Sequence, residues 1–181
     1  MSPTLHHPVG EKDHIRGRPD AALTLVEYGD FECPYCGMAY PIVKQVEREL
    51  GDELRVVFRH FPLKEQHPHA SHAAQAAESA GAQASESFWE MHDTLFEHQD
   101  ALDDQDLIGY AKDLGIDATK VARDLANGTW EKVVREHFRA GVKSGVNGTP
   151  TFFVNGARFD GDWTNPAVLV DALRQEVNAS R

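Results

Sequence analysis

The sequence predicts an α/β domain in which a block of helices is inserted between the second and third strands of one sheet. Three observations support this fold class. Apolar, β-prone segments at residues 23–28 and 54–61 flank an amphipathic helical segment. Helical spacing of apolar residues then runs from residue 68 to residue 144. A hairpin signal and a last amphipathic helix follow, so the order is strand, helix, strand, helical block, hairpin, helix.

The first strand, at residues 23–28, leads directly into the first helix. Pro34 suits the first helical position because its missing N–H is unbonded there in any case and its φ is already helical. Cys33 is therefore predicted to be the N-cap. Apolar residues keep helical spacing as far as Leu50, and Gly51 is predicted to end the helix.

The second strand, at residues 54–61, ends at Pro62. Within the helical block, Asp103 or Asp104 is predicted to cap one helix and Asp117 the next. Gly115 and Gly128 are predicted to end these two helices.

The last part of the chain returns to strands. Asn155-Gly156 is a two-residue hairpin signal between a strand at residues 151–154 and its partner at 157–159. Asn165-Pro166 then starts the final helix. We expect an extended or frayed arm at residues 1–21 and a single domain at 22–181. The domain core comprises residues 22–67 and 145–181, and the helical insertion comprises residues 68–144.

Length, composition and net charge restrict the kinds of molecule that the protein is expected to bind. The chain has 181 residues, 41% of them hydrophobic, which is enough for a sizeable core without cross-links. A net charge of -11 opposes binding to nucleic acid or to an anionic membrane surface. The N-terminus as written lacks a basic, apolar secretion signal, so we expect a cytoplasmic protein, or an extracytoplasmic one if a leader was removed.

The two cysteines of the chain, Cys33 and Cys36, form a Cys-Pro-Tyr-Cys motif at the predicted strand-to-helix junction. Free N–H groups and the helix dipole at an N-cap favour a thiolate, so we expect Cys33 to be the nucleophile. Cys36, one turn further on and more buried, would resolve a mixed disulfide. A purely structural disulfide would contribute little, because so short a loop constrains the unfolded chain only weakly.

A metal site is the alternative use of these thiols. The chain has no second cysteine pair, so histidines would have to complete it, and His67, His69 and His72 are the clustered candidates. Nothing in the sequence brings these histidines to Cys33, and we therefore predict no metal site.

Cys33-Pro34-Tyr35-Cys36 at a strand-to-helix junction, a large helical insertion, and Gly148-Thr149-Pro150-Thr151 entering a hairpin resemble the DsbA-like thiol–disulfide oxidoreductases. The resemblance covers about residues 22–178. It implies a thioredoxin fold with a helical insertion between the second and third strands.

The resemblance also implies roles for individual residues. Cys33 would be the exposed nucleophile and Cys36 the resolving cysteine. Pro150 would be a cis-proline facing the pair, and Thr149 would offer backbone groups to an extended substrate peptide. Glu27 would lie beneath the disulfide and help to move its protons; the alternative is a strand-end carboxylate that reaches solvent.

Three further residues complete the predicted substrate-binding set. Pro34 and Tyr35 separate the cysteines and adjust the stability of the thiolate. Phe31 and Tyr35 would supply part of an apolar rim around the sulfurs, which suits an unfolded or extended polypeptide.

The predicted function is thiol–disulfide exchange with polypeptides, together with a redox partner protein or glutathione. No cofactor is expected besides the redox-active Cys33–Cys36 disulfide. The direction stays open, because a cytoplasmic address favours a reductase or isomerase over an oxidant. A metal-binding or protein-binding module on the same fold is the alternative class, and the oligomeric state leaves no signature in the sequence.

Overall fold

A mixed five-stranded sheet is the centre of the computed structural model, which describes the backbone of residues 2–179 and the side chains of residues 2–175. Its strands are β1 (His14–Gly17), β2 (Leu23–Gly29), β3 (Leu54–His60), β4 (Thr151–Val154) and β5 (Ala157–Phe159). The helices are α1 (Pro34–Leu50), α2 (Ala70–Gly81), α3 (Ser85–Glu97), α4 (Asp104–Asp113), α5 (Ala118–Asn127), α6 (Glu131–Lys143) and α7 (Pro166–Ala179). The strand order across the sheet is β1-β3-β2-β4-β5. The α/β fold class and the helical insertion are thereby confirmed.

Strand β2 lies at the middle of the sheet and is buried along its whole length. It runs parallel to β3 and antiparallel to β4. A strand covered on both faces reads as a nearly continuous apolar run, which is why this segment was recognisable in the sequence. Because side chains alternate between the faces, Glu27 shares a face with Leu25, which packs in the same apolar cluster as Cys36.

Of the two forms predicted for the N-terminal arm, extended or frayed, the structure shows the extended one in strand β1. Residues 14–17 form β1, which pairs antiparallel with β3. Nearer the start of the chain, Thr4 forms a bridge with Ala157. The Arg59 guanidinium donates to the main-chain carbonyl of His7 (2.9 Å) and to both carboxylate oxygens of Asp13 (2.8 and 2.9 Å). The arm is therefore part of the sheet and its packing, and the insertion falls between β3 and β4.

The helical insertion, α2 to α6, lies within the predicted 68–144. Asp103 caps α4 in a capping box with Asp106, and the Asp117 carboxylate accepts the Lys120 N–H at the start of α5. Gly128 ends α5 in the left-handed conformation, with φ of 61°. The prediction for the domain runs to residue 181, and residues 180–181 lie outside the described residues. Among the helices described, none has the length and apolar character to cross a membrane.

Candidate active site

The two cysteines lie just beyond the carboxyl end of the central strand β2, where the chain enters α1. Cys33 is the N-cap of α1, with extended backbone angles (φ −69°, ψ 122°), and Pro34 begins the helix. Cys36, on the first turn, is fully buried. Both are free thiols, so this is the dithiol state of the pair. The local geometry agrees with the prediction from Pro34 and the end of the apolar strand.

The environment of Cys33 favours its thiolate. A hydrogen bond from the Cys36 thiol is the largest effect that lowers its pKa, which falls to about 5 from an ordinary 9.0. The main-chain N–H groups of Cys36 and Tyr35 lower it further, as expected at a helix N-terminus. The Thr149 side chain lowers the pKa as well. The main-chain oxygen of Thr149, 3.6 Å from the sulfur, accepts from Cys33 only in its thiol form.

Cys33 is not exposed, contrary to what the resemblance implied. Only 3% of the residue is accessible, because it packs between the start of α1 and the loop that carries Thr149.

The pKa of Cys36 is shifted in the opposite direction to that of Cys33. Burial raises the pKa of this thiol well above its ordinary value, and the hydrogen bond that it donates to Cys33 raises it further. One sulfur of the pair is therefore held as a thiolate at neutral pH and the other as a thiol. Because Cys33 is deprotonated and Cys36 is not, the two cysteines are suited to different steps of thiol–disulfide exchange.

Glu27 is buried, with 4% of its surface exposed, so it does not reach solvent from the end of the strand. Desolvation raises its pKa to about 8; the negative charge of Cys33 adds to the shift and Arg16 opposes it. Its Oε1 has no hydrogen-bond partner among the described residues. A carboxyl group in this state holds a proton near neutral pH and interacts with both thiols.

The loop before β4 brings Thr149 and Pro150 to the cysteines. Tyr28 pairs with Thr151 across β2 and β4, which places this loop beside the end of β2. The Thr149–Pro150 peptide bond is cis. The Thr151 hydroxyl donates to the Gly148 carbonyl (2.7 Å) and closes the turn.

The surface next to Cys33 includes apolar side chains, of which Tyr35 was predicted from the sequence and Met38 was not. Phe31 is only 1% exposed and packs on Phe58 and Phe96, so the expectation that it forms a rim is wrong. An aromatic ring at the end of a buried strand gains more from the core than from solvent. The exposed apolar side chains are Tyr35 (62%) and Met38 (55%), and Pro34 is exposed beside them. Met38 was missed because a single methionine carries no positional signal.

Gln99 was also missed by the sequence reasoning. It lies after α3, and its Nε2 donates to the main-chain oxygens of both Phe31 and Cys33, each at 2.9 Å. The helical insertion thus holds the backbone of the cysteine loop. Gly37 has no Cβ, and the Gln99 carboxamide occupies the position that a Cβ would take there.

The histidines proposed as partners of a thiol metal site are used elsewhere. His67 contacts the Asp30 carboxylate (2.8 Å) and His72 contacts Asp104 (2.6 Å). Across the described part of the chain, the cluster with metal-ligand spacing is at His60, Glu78 and His137, and it includes neither cysteine.

Comparison with known proteins identifies the family. A sequence profile described as "Thioredoxin" matches residues 10–170. The chain belongs to the thioredoxin family. Among solved structures, it resembles BdbD from Bacillus subtilis (23% identity, TM-score 0.83, 98% of this chain and 96% of the other). It also resembles a thioredoxin-like oxidoreductase from Silicibacter pomeroyi (25% identity, TM-score 0.79, 92% of each chain). DsbA2 from Pseudomonas aeruginosa has a TM-score of 0.74 at 22% identity over 93% of this chain and 97% of its own. The fold is DsbA-like, as predicted.

Curated relatives are more similar in sequence but much longer. The Na(+)/H(+) antiporter NhaA 1 of Salinispora arenicola is 46% identical over 158 residues, which are 87% of this chain and 24% of that protein. The protein of the same name in Mycobacterium sp. (strain KMS) is 45% identical over 94% of this chain and 28% of its own length. The chain thus spans about a quarter of the curated relatives it matches.

Proposed function

We propose that this thioredoxin-family domain is a thiol–disulfide oxidoreductase that exchanges disulfides with polypeptides through Cys33 and Cys36. The single observation that carries the proposal is the placement of the two cysteines: Cys33 is the N-cap of α1, and Cys36 is fully buried on the first turn. This placement lowers the pKa of Cys33 to about 5 and raises that of Cys36 above its ordinary value. Dithiol exchange needs one sulfur that is both a good nucleophile and a good leaving group. The other sulfur must be shielded from the substrate, so that it reacts only with the first.

Disulfide donation would run in two steps. A substrate thiolate attacks the Cys33 sulfur, the Cys33–Cys36 bond breaks, and its electron pair goes to Cys36. Cys36 then takes a proton, for which neutral Glu27 is the nearby donor. A second substrate thiolate attacks the substrate sulfur of the mixed disulfide, and Cys33 leaves as a thiolate. Two electrons pass from the substrate to the cysteine pair, and the substrate gains one disulfide.

The scheme uses every predicted site residue except Phe31, which is buried. Thr149 and the Pro150 loop would offer main-chain groups to an extended peptide, in place of the present contact with Cys33. Tyr35, Met38 and Pro34 would supply the apolar surface on which an unfolded segment rests. The redox group is the Cys33–Cys36 pair itself. After donation, oxidised glutathione or a partner protein would restore its disulfide.

The low pKa of Cys33 also bears on the direction of exchange. A stabilised thiolate favours the reduced pair, so the disulfide form gives up its bond readily. We therefore propose disulfide donation over reduction or isomerisation. The description of the Silicibacter pomeroyi structure as a thioredoxin-like oxidoreductase supports the general activity.

Trapping of mixed disulfides tests the proposal. Cys36→Ser removes the resolving thiol. When this variant is given an unfolded peptide whose cysteine forms a disulfide with an aromatic thiol, Cys33 should displace the aromatic thiol and remain joined to the peptide. Cys33→Ser is the matched control, since it retains only a buried thiol of high pKa and should trap none. Equal trapping by both variants, or trapping by Cys33→Ser alone, would refute the assigned roles.

A further inference from the structure

A buried group of imidazoles and one carboxylate lies away from the cysteine pair. It draws His14 from β1, His60 from the end of β3, Glu78 from α2 and His137 from α6. The thiol chemistry uses none of these residues. They join the N-terminal arm, the sheet and the helical insertion at one point.

Glu78 is the centre of the group. It is 5% exposed, and both of its oxygens lie 3.0 Å from the His14 Nε2. The Nε2 of His60 lies 2.8 Å from Oε1. The carboxyl group is thus held in the interior between two imidazoles.

The histidines have donor atoms ready for a cation. His60 is 1% exposed, and its Nδ1 has no hydrogen-bond partner among the described residues. The ring of His137 is stacked on that of His60, with centroids 5.2 Å apart. Buried polar atoms are normally satisfied, so an orphan nitrogen at such a cluster needs an explanation.

The spacing and the access fit a single ion. One ligand atom each from His60, Glu78 and His137 lie within 4.8 Å of one another. To lie on a shell of about 2.0–2.2 Å around zinc, the side chains would have to rotate towards one another. A cavity of about 840 Å³, lined in part by His14, Glu78 and His137, opens beside them and provides an entry path. Arg59 and Asp13, an ion pair that also lines this cavity, place one charge of each sign nearby.

We propose that His60, Glu78 and His137 bind one zinc-type divalent transition-metal ion, with His14 next to the site. Two imidazole nitrogens and a carboxylate oxygen are a donor set suited to zinc, cobalt or nickel rather than to calcium or magnesium. At present the Nδ1 of His137 accepts the main-chain N–H of His60 (3.2 Å), and coordination at this atom exchanges that bond for a metal–nitrogen bond. The ion would fasten β3, α2 and α6 together and would stabilise the fold without entering thiol exchange.

Zinc titration of a protein without cysteines tests the site. The untagged Cys33→Ser/Cys36→Ser protein removes every thiol ligand, so any binding comes from nitrogen and oxygen donors. We expect one zinc ion per chain and a melting temperature that rises with zinc concentration. His137→Gln in the same background should weaken zinc binding by tenfold or more. His72→Gln should not change it, because His72 is a half-buried residue of α2 outside the cluster.

Three results would overturn the proposal: no zinc-dependent rise in melting temperature, a rise that His137→Gln leaves intact, or zinc binding that requires the cysteines. Should His137→Gln fail to fold, nitrogen NMR of the imidazoles in the cysteine-free protein decides the question directly. Zinc should then shift ring nitrogens of His60 and His137, and unmoved resonances for these two rings would reject the site.

Discussion

Replacing Glu27 by glutamine should change how the stability of the reduced protein depends on pH. Desolvation raises the pKa of this buried carboxyl from 4.5 to about 8. An acid whose pKa is higher in the folded chain holds its proton more tightly there than in the unfolded chain. Its contribution to stability is therefore present at low pH and is lost as the pH rises from about 4.5 towards 8.

The size of the effect follows from the two pKa values. Between about pH 5 and pH 8, the unfolded chain ionises freely while the folded chain must ionise a buried group. This difference costs the wild-type protein roughly 3–4 kcal/mol of its free energy of unfolding. Glutamine has nearly the same shape and does not titrate, so the variant escapes this loss. Any packing cost of the amide is the same at both pH values and cancels from the comparison.

Urea unfolding under reducing conditions at the two pH values measures this difference. The Cys33 thiolate contributes with the opposite sign, because its pKa is lowered, but it is present in both proteins and largely cancels. Glu90→Gln, which changes an exposed acid on α3, is the control and should follow the wild type. Parallel stability curves for wild type and Glu27→Gln would refute the raised pKa.

Two further changes test the cysteine loop. Cys36→Ala removes the thiol that donates to Cys33, so the pKa of Cys33 should rise by about one to two units, measured from the pH dependence of its alkylation rate by iodoacetamide. An unchanged pKa would mean that the helix N-terminus alone lowers it. Gly37→Ala places a Cβ on the Gln99 carboxamide, breaking its two bonds to the loop, and should lower the free energy of unfolding in urea by about 1–3 kcal/mol. Its control, Gly109→Ala in open space on α4, should instead raise stability by about 0.5–1 kcal/mol, and equal effects of the two changes would rule out the Gln99 clamp.

The elements predicted correctly are those whose signals are local in sequence. The Asn155-Gly156 turn has positive φ at both residues, which the two-residue hairpin requires. Asp103 and Asp117 cap helices because their side chains reach N–H groups three residues ahead. Cys33 could be placed at a helix start for the same reason, since Pro34 fixes the first turn.

The features that were missed depend on contacts between distant residues. Strand β1 has only four residues, two of them basic or histidine, and it is held by pairing with β3 rather than by an apolar pattern. Gln99 lies 66 residues from Cys33 in sequence, and a polar residue after a helix gives no sign of its partner. Phe31 was placed on the surface because sequence proximity to Cys33 does not reveal which face of the loop its ring occupies.

The reduction potential of the Cys33–Cys36 pair, measured by equilibration with glutathione near pH 7, tests the central claim most directly. The pKa of Cys33, about 5, is some two units below the value of about 7 typical of thioredoxin. Each factor of ten in thiolate stability is worth about 30 mV, so the potential should lie about 60 mV above thioredoxin's value of about −270 mV. A value near −210 mV would support a stabilised Cys33 thiolate and a pair that is more oxidising than thioredoxin. A value at or below that of thioredoxin, or failure of the pair to form a disulfide, would contradict the account.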